Sequence, residues 1–405
     1  MNELSSLGMI LLLALLAGHI VRVVRIPEVT GYLFAGIALG PSVLGWVSHE
    51  NLQALEVLSE VALGLILFSI GSVFEWRLLR RFGPRVSRLT LAESALAACL
   101  VTVGMLLAGQ PWQVALLLGA ICIETAPAST LMVIRECHGR GPLSEALLGI
   151  IAINNILCIV AYSLAAAAID LAINWGGLST LAGSLYQALY PLVWQLLGSV
   201  ALGFLVGLLL AAWGSQVDES GEMLILLAGS ILLCVGVSRI LDLSALVASL
   251  AVGATMVNLS RRSRRLFDAL SGTDPPFYAI FFVIAGADLD LSSISELGVV
   301  GAVYLVCRLS GKFIGASVAA RRLDMDPGVQ RYLGFALLAQ AGLAVGLVLT
   351  TERRFPEHGD AVKTVILAAV AFYEVLGPVA ARYAIVSAGE SRKKEQDSES
   401  IWALE

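Results

Sequence analysis

The sequence reads as an all-α integral membrane protein of about thirteen transmembrane helices. Three observations carry that reading. Of 405 residues, 58% are hydrophobic and only 14% are charged, with mean hydropathy +0.85, which no soluble domain of this length sustains. Apolar runs of about 20 residues, enough to cross a bilayer, recur from end to end. Basic residues gather in the third, fifth, ninth and eleventh connections and in the tail, all on one side if the spans alternate, as expected of the cytoplasmic side.

The expected spans are 4–24, 29–47, 54–73, 86–108, 112–135, 145–170, 189–213, 222–239, 243–259, 277–288, 297–320, 328–351 and 361–386. The first lacks a basic leader and a cleavage site and reads as a retained helix. The tenth is short enough to be a half-span. Arg77, Arg80, Arg81, Arg85 and Arg88 flank the third connection, and Arg135 and Arg140 the fifth. Arg261, Arg262, Arg264 and Arg265 form the ninth, Arg321, Arg322 and Arg331 bracket the eleventh, and Arg392, Lys393 and Lys394 lie in the tail. That places the N-terminus outside and the C-terminus in the cytoplasm. Asp218 and Glu219 in the seventh connection, and Arg353 and Arg354 in the twelfth, fit less well.

The two halves resemble each other. RVVRIPEVTGYLFAGIALGPS aligns with RILDLSALVASLAVGATMVN, pairing Arg22 with Arg239 and Gly36 with Gly253. LILFSIGSVFEW aligns with FFVIAGADLDL. One repeat then covers about 4–170 and the other about 222–386, joined by a linker helix at about 189–213; with six spans on either side of the linker, the repeats are inverted. Residues 1–388 form one membrane unit, and 389–405 a short, polar, disordered cytoplasmic tail.

The stretch from Glu124 to Asn155 organises the rest. It opens on Thr125-Ala126-Pro127-Ala128, which breaks a helix, and closes on Asn154-Asn155 inside an aliphatic run. Broken helices and buried amides are tolerated at membrane depth where protein or a water-filled cavity receives the freed polar groups. The small-residue segment LAQAGLAVG (338–346) holds the corresponding place in the second half. The six cysteines, Cys99, Cys122, Cys137, Cys158, Cys234 and Cys307, lack metal or redox spacing. There is no phosphate-binding loop and no nucleophile–base arrangement, so no enzyme, cofactor, metal site or nucleic-acid partner is expected.

PEVTGYLFAGIALGPSVLG, TAPASTLMVIRE followed by GPLSEALLGIIAINN, FFVIAGADLDL with RLSGKFIGA, and QAGLAVGL with EVLGP occur in an order that resembles the monovalent cation:proton antiporter superfamily, in its bacterial sodium/proton exchanger branch. The resemblance covers residues 20–385. It implies a thirteen-helix fold with two crossed broken helices, a core that moves against a dimerisation panel by alternating access, a homodimer, and a place in the plasma membrane. The implied partners are a monovalent cation (sodium or potassium), a proton and the lipid bilayer.

One departure matters. Where that branch carries Asp-Asp or Asn-Asp, this chain has Asn154-Asn155. A carboxylate can hold either a proton or a cation; a carboxamide offers an oxygen but does not titrate. If the family mechanism operates, another group must carry the proton. Glu124, beside Thr125, is one candidate, against a structural ion pair of equal weight. Lys312 is another: Arg308 and Lys312 are four residues apart on one helix face. In the family a basic residue on this helix pairs with the acidic motif, and with that partner absent a buried lysine could itself release a proton. The alternative is that Arg308 or Lys312 pairs with Glu124 or Glu374 and only holds the core. Glu374 before Gly377-Pro378 reads as a structural charge partner; Asp288 reads as solvated at a span end, and His19 and Arg22 as capping or interfacial residues. Two rivals stay open: a transport-deficient or repurposed carrier-fold protein, and an antiporter disabled by substitution, which Asp-Asp would revive.

Overall fold

The structure is a computed structural model that describes residues 3–391 except 25, 72, 73, 75, 174–177, 215, 218, 261–266, 268–273 and 290–297. The described residues form helices and connections and contain no strand. In chain order the helices are α1 (Glu3–Val23), α2 (Glu28–Leu39), α3 (His49–Gly71), α4 (Trp76–Leu107), α5 (Trp112–Ile121), α6 (Pro127–Glu136), α7 (Pro142–Ile173) and α8 (Leu178–Gly214). There follow α9 (Ser220–Ile240), α10 (Ala245–Leu259), α11 (Asp274–Ala287), α12 (Gly298–Arg322), α13 (Pro327–Ala336), α14 (Gly342–Arg354) and α15 (Pro356–Ser387).

Seven of these are long and apolar enough to cross a membrane, and α2, α5, α10 and α11 are among the shorter apolar helices. The fifth and twelfth expected spans are each two half-helices, α5/α6 and α13/α14, so fifteen described helices make thirteen passes. The basic clusters at 261–265 and 392–394, and the side chains of Arg77, Arg80 and Arg81, lie outside the described residues.

Helix contacts divide the molecule into two bundles. One contains α1, α2, α3, α8, α9, α10 and α11; the other contains α4 to α7 and α12 to α15. They meet where α6 and α15 lie on α2 and α3, and where α7 adjoins α8. In the first bundle, glycine allows two helix pairs to touch backbone to backbone. A methyl group on Gly36 of α2 would sit 2.2 Å from Val283 O of α11, and one on Gly253 of α10 would sit 2.1 Å from Phe68 O of α3. The partner glycines Gly286 and Gly71 are as tightly held, so the glycines that the internal alignment matches occupy matching crossings.

Two local findings concern the ends. Asp288 is exposed at the end of its span, and His19 and Arg22 are exposed on α1. The start of the tail is anchored: Leu143 N–H, Ser144 N–H and Ser144 Oγ all donate to the Glu390 carboxylate, at 2.6, 2.8 and 2.7 Å. Glu390 thus caps the first turn of α7 from the far end of the chain.

Candidate functional site

Pro127 at the first position of α6 cannot continue the helix from α5, so the chain breaks between Cys122 and Ala126. The second break, Leu337 to Ala341, contains no proline; side chains hold it open. The breaks touch, with Ala126 N–H donating to Ala339 O at 3.0 Å. Each leaves carbonyls at the end of one half-helix and N–H groups at the start of the next, without helical partners.

Arg308 satisfies the carbonyl ends of both. Its Nε donates to Cys122 O (3.1 Å), Nη1 to Leu338 O (2.7 Å), and Nη2 to Glu124 O (2.7 Å) and Ala339 O (3.4 Å). The guanidinium lies 4.4 Å over the Tyr373 ring. The carbonyl dipoles of α5 and α13 thus converge on one fixed positive charge. Gln340 adds Nε2–H to Ile121 O at 3.4 Å. The Glu124 carboxylate serves the opposite pole of the second break, where Ala341 N–H, at the start of α14, donates to its two oxygens at 3.1 and 3.4 Å. Arg308 therefore meets Glu124 through the backbone oxygen, not as the side-chain ion pair the sequence left open.

Lys312 is not without a partner, contrary to expectation. It forms an ion pair with Glu93 of α4 at 2.8 Å, both side chains fully buried. Gly311 and Gly315 make this possible by letting α12 lie against α4: a methyl on Gly315 would sit 2.9 Å from Glu93 Cα. Nζ also donates to Ile123 O (2.6 Å) and Thr125 Oγ1 (3.1 Å), while its contact with Glu93 Oε1 is an ion pair outside hydrogen-bond geometry. A polar ring closes through the Asn pair. Ser94 Oγ lies 3.2 Å from Glu93 Oε2 and 2.8 Å from Asn154 Oδ1, and Asn154 Nδ2 donates to Thr125 Oγ1 at 3.2 Å. Asn155 Nδ2 donates to Thr125 O (3.2 Å) and Ile151 O (2.8 Å), while its Oδ1 is buried with no hydrogen-bond donor.

Glu374 stands apart. It is 4% exposed and makes no hydrogen bond or ion pair among the described residues, so it is not the charge partner of Arg308 or Lys312. Its carboxyl borders a cavity of about 280 Å³ between the two bundles. The first turn of α6 (Ala126 to Ser129), the first turn of α14, and Leu63, Ser244, Phe281 and Phe282 of the other bundle line it. Ser129 Oγ there is buried and without a partner. Two half-helix N-termini, with their partial positive charge, face this cavity.

The site thus brings together Glu124, Thr125, Asn154, Asn155, Arg308 and Lys312, with Glu374 on its cavity side. Sequence reasoning missed Glu93, Ser94 and Gln340. The rule that singled out Glu124, a carboxylate inside an apolar run, applies equally to Glu93.

The sodium/hydrogen exchanger transmembrane family model matches residues 8–383. The chain is 26% identical over 366 residues to a Na(+)/H(+) antiporter of Enterococcus hirae, covering 85% of this chain and 88% of that one. It is 25% identical over 260 residues to the ammonium/H(+) antiporter subunit AmhT of Alkalihalophilus pseudofirmus, covering 64% of each, which is less than two thirds of the AmhT length. The fold matches the sodium proton antiporter MjNhaP1 of Methanocaldococcus jannaschii with TM-score 0.67 at 18% identity, over 96% of both chains. The chain belongs to the sodium/hydrogen exchanger family of monovalent cation:proton antiporters.

Proposed function

We propose that this antiporter exchanges one monovalent cation for one proton at Glu374, with the Asn pair acting as neutral scaffold and ligand. The observation that carries the reading is a charge count at the level of the breaks. Among the described residues there, three buried carboxylates, Glu93, Glu124 and Glu374, face two buried cations, Arg308 and Lys312. Glu93 is held by Lys312, and Glu124 by the α14 N-terminus beside Arg308. One carboxylate is left over, and it is the one on the cavity.

An unpaired carboxylate out of water is neutralised by a proton or by a bound cation. That is the competition antiport requires, and it removes the need for an aspartate at 154 or 155. Asn155 Oδ1, lacking a donor, and Ser129 Oγ, lacking a partner, are hard oxygen ligands for the cation close to the first break. The same net charge in both loaded forms favours electroneutral exchange. Glu124 and Lys312, each already partnered, position the site. Alternating access follows as movement of the bundle that holds α4 to α7 and α12 to α15 against the other.

We also propose a homodimer in the plasma membrane, N-terminus outside. The placement of Arg135, Arg140, Arg321 and Arg322 supports the orientation. The apolar exposed face of α8, with Leu197, Leu205, Leu209 and Trp213, supplies a surface for lipid or a second copy. The test is sodium- or potassium-driven proton movement in proteoliposomes with the membrane potential clamped at two values. Equal rates at both support one-for-one exchange; a rate that follows voltage rejects it.

A further inference from the structure

We propose that Arg135 and Glu136, the last two residues of α6, are gating residues of the exchange reaction, holding the arginine-rich face closed while the cavity faces the other way. The inference rests on the cavity being the ion site.

Helix α6 has ten residues and is about 15 Å long. Its first turn lines the cavity, and its last turn reaches the face carrying the 137–141 and 323–326 connections. At that last turn it crosses to the other bundle. Glu28 N–H, at the start of α2, donates to Glu136 Oε2 at 2.8 Å, so a carboxylate of one bundle caps a helix of the other. One residue earlier, the Arg135 guanidinium lies 6.0 Å from the centre of the Tyr278 ring of α11.

Glu136 is held on its own bundle by Arg382 Nη1 of α15 at 2.7 Å. On the other side Glu28 is tied to Arg22 and accepts from Tyr32 Oη at 3.1 Å. The contact is therefore braced from both sides and exposes no lone charge. The cavity lining also includes Ser244, which precedes α10 at the end of that helix away from the arginine-bearing connections. One short rod thus has the ion cavity at one end and the bundle-to-bundle lock at the other. For the cavity to face the arginine-rich side, α6 must separate from α2, and the Glu28–Glu136 bond must break. That bond is made in one state of the cycle and absent in the other, so its strength biases the two.

The test reads access, not exchange. Ser129→Cys places a thiol in the cavity, and a membrane-impermeant maleimide is applied to oriented vesicles from either side, with native-cysteine labelling subtracted. With the reporter alone, labelling comes from the side opposite the arginines. Glu136→Ala is expected to raise labelling from the arginine-rich side about 10-fold, the shift that losing one charge-assisted hydrogen bond permits. Glu28→Pro removes the N–H, together with the carboxylate that Arg22 and Tyr32 hold, at a first helical position that accepts proline, after Pro27 whose ψ of 142° suits a following proline. It should do the same, whereas Glu28→Gln, which keeps the N–H, should label as the reporter does. If Glu136→Ala does not fold, Glu28→Pro decides. Labelling of the reporter from the arginine-rich side at the outset, or unchanged labelling in Glu28→Pro, overturns the gate. Either result is independent of whether Glu374 carries the proton.

Discussion

Removing the Glu93 carboxylate should be more damaging than removing the whole Glu93–Lys312 pair. The pair sits at 2.8 Å with both side chains at zero exposure. In Glu93→Gln, the Lys312 ammonium keeps Ile123 O, Thr125 Oγ1 and a neutral amide oxygen, dipoles in place of a counter-ion. Breaking a buried pair from one side costs about 3–5 kcal/mol. That is a large share of the roughly 5–15 kcal/mol that holds a typical domain folded. In Glu93→Leu/Lys312→Met the charges leave together and the volume is kept, so most of that loss should be recovered. What persists is the orphaned Ile123 carbonyl, about 1–3 kcal/mol. The assay is thermal unfolding in detergent, followed by tryptophan fluorescence, on the two single variants and the double. The double should melt above Glu93→Gln. Additive losses, with the double melting lowest of all, would refute the reasoning, because independent sites add and a coupled pair does not.

Two further outcomes follow from the same geometry. Arg308→Lys keeps the charge but loses the fork that spans both breaks and the stacking on Tyr373; a lysine cannot hold four carbonyls, and a loss of about 2–4 kcal/mol in stability with slowed exchange is expected, read by the same melting assay and by transport. Asn155→Asp adds a second surplus carboxylate, so exchange should remain but become voltage-dependent, which a potential-clamped liposome assay would register; a variant as voltage-insensitive as the parent contradicts the charge count.

The thirteen passes were legible because apolar length is a strong signal and basic connections mark one face. The first break was legible too, since Pro127 interrupts an apolar run. The second was visible only by order: Leu337 to Ala341 has no proline, and Gln340 with Arg308 opens it through contacts distant in sequence. For the same reason Lys312 looked unpaired. Its partner lies 219 residues earlier, on a helix brought close by Gly311 and Gly315, and nothing local in either sequence segment announces that meeting. Glu374 looked structural beside Gly377-Pro378; only the packing of α6 and α14 around it reveals the cavity it faces.

The central claim is that Glu374 is where proton and cation compete. The direct measurement is cation-driven proton movement in proteoliposomes containing Glu374→Gln, beside the parent and Glu374→Asp, with each protein first checked for folding in detergent. Gln has the shape and a coordinating oxygen but no titratable proton, so exchange should fall to background, and Asp should retain part of it with a shifted pH profile. A folded Glu374→Gln protein that exchanges at the parent's rate and pH dependence would contradict the account.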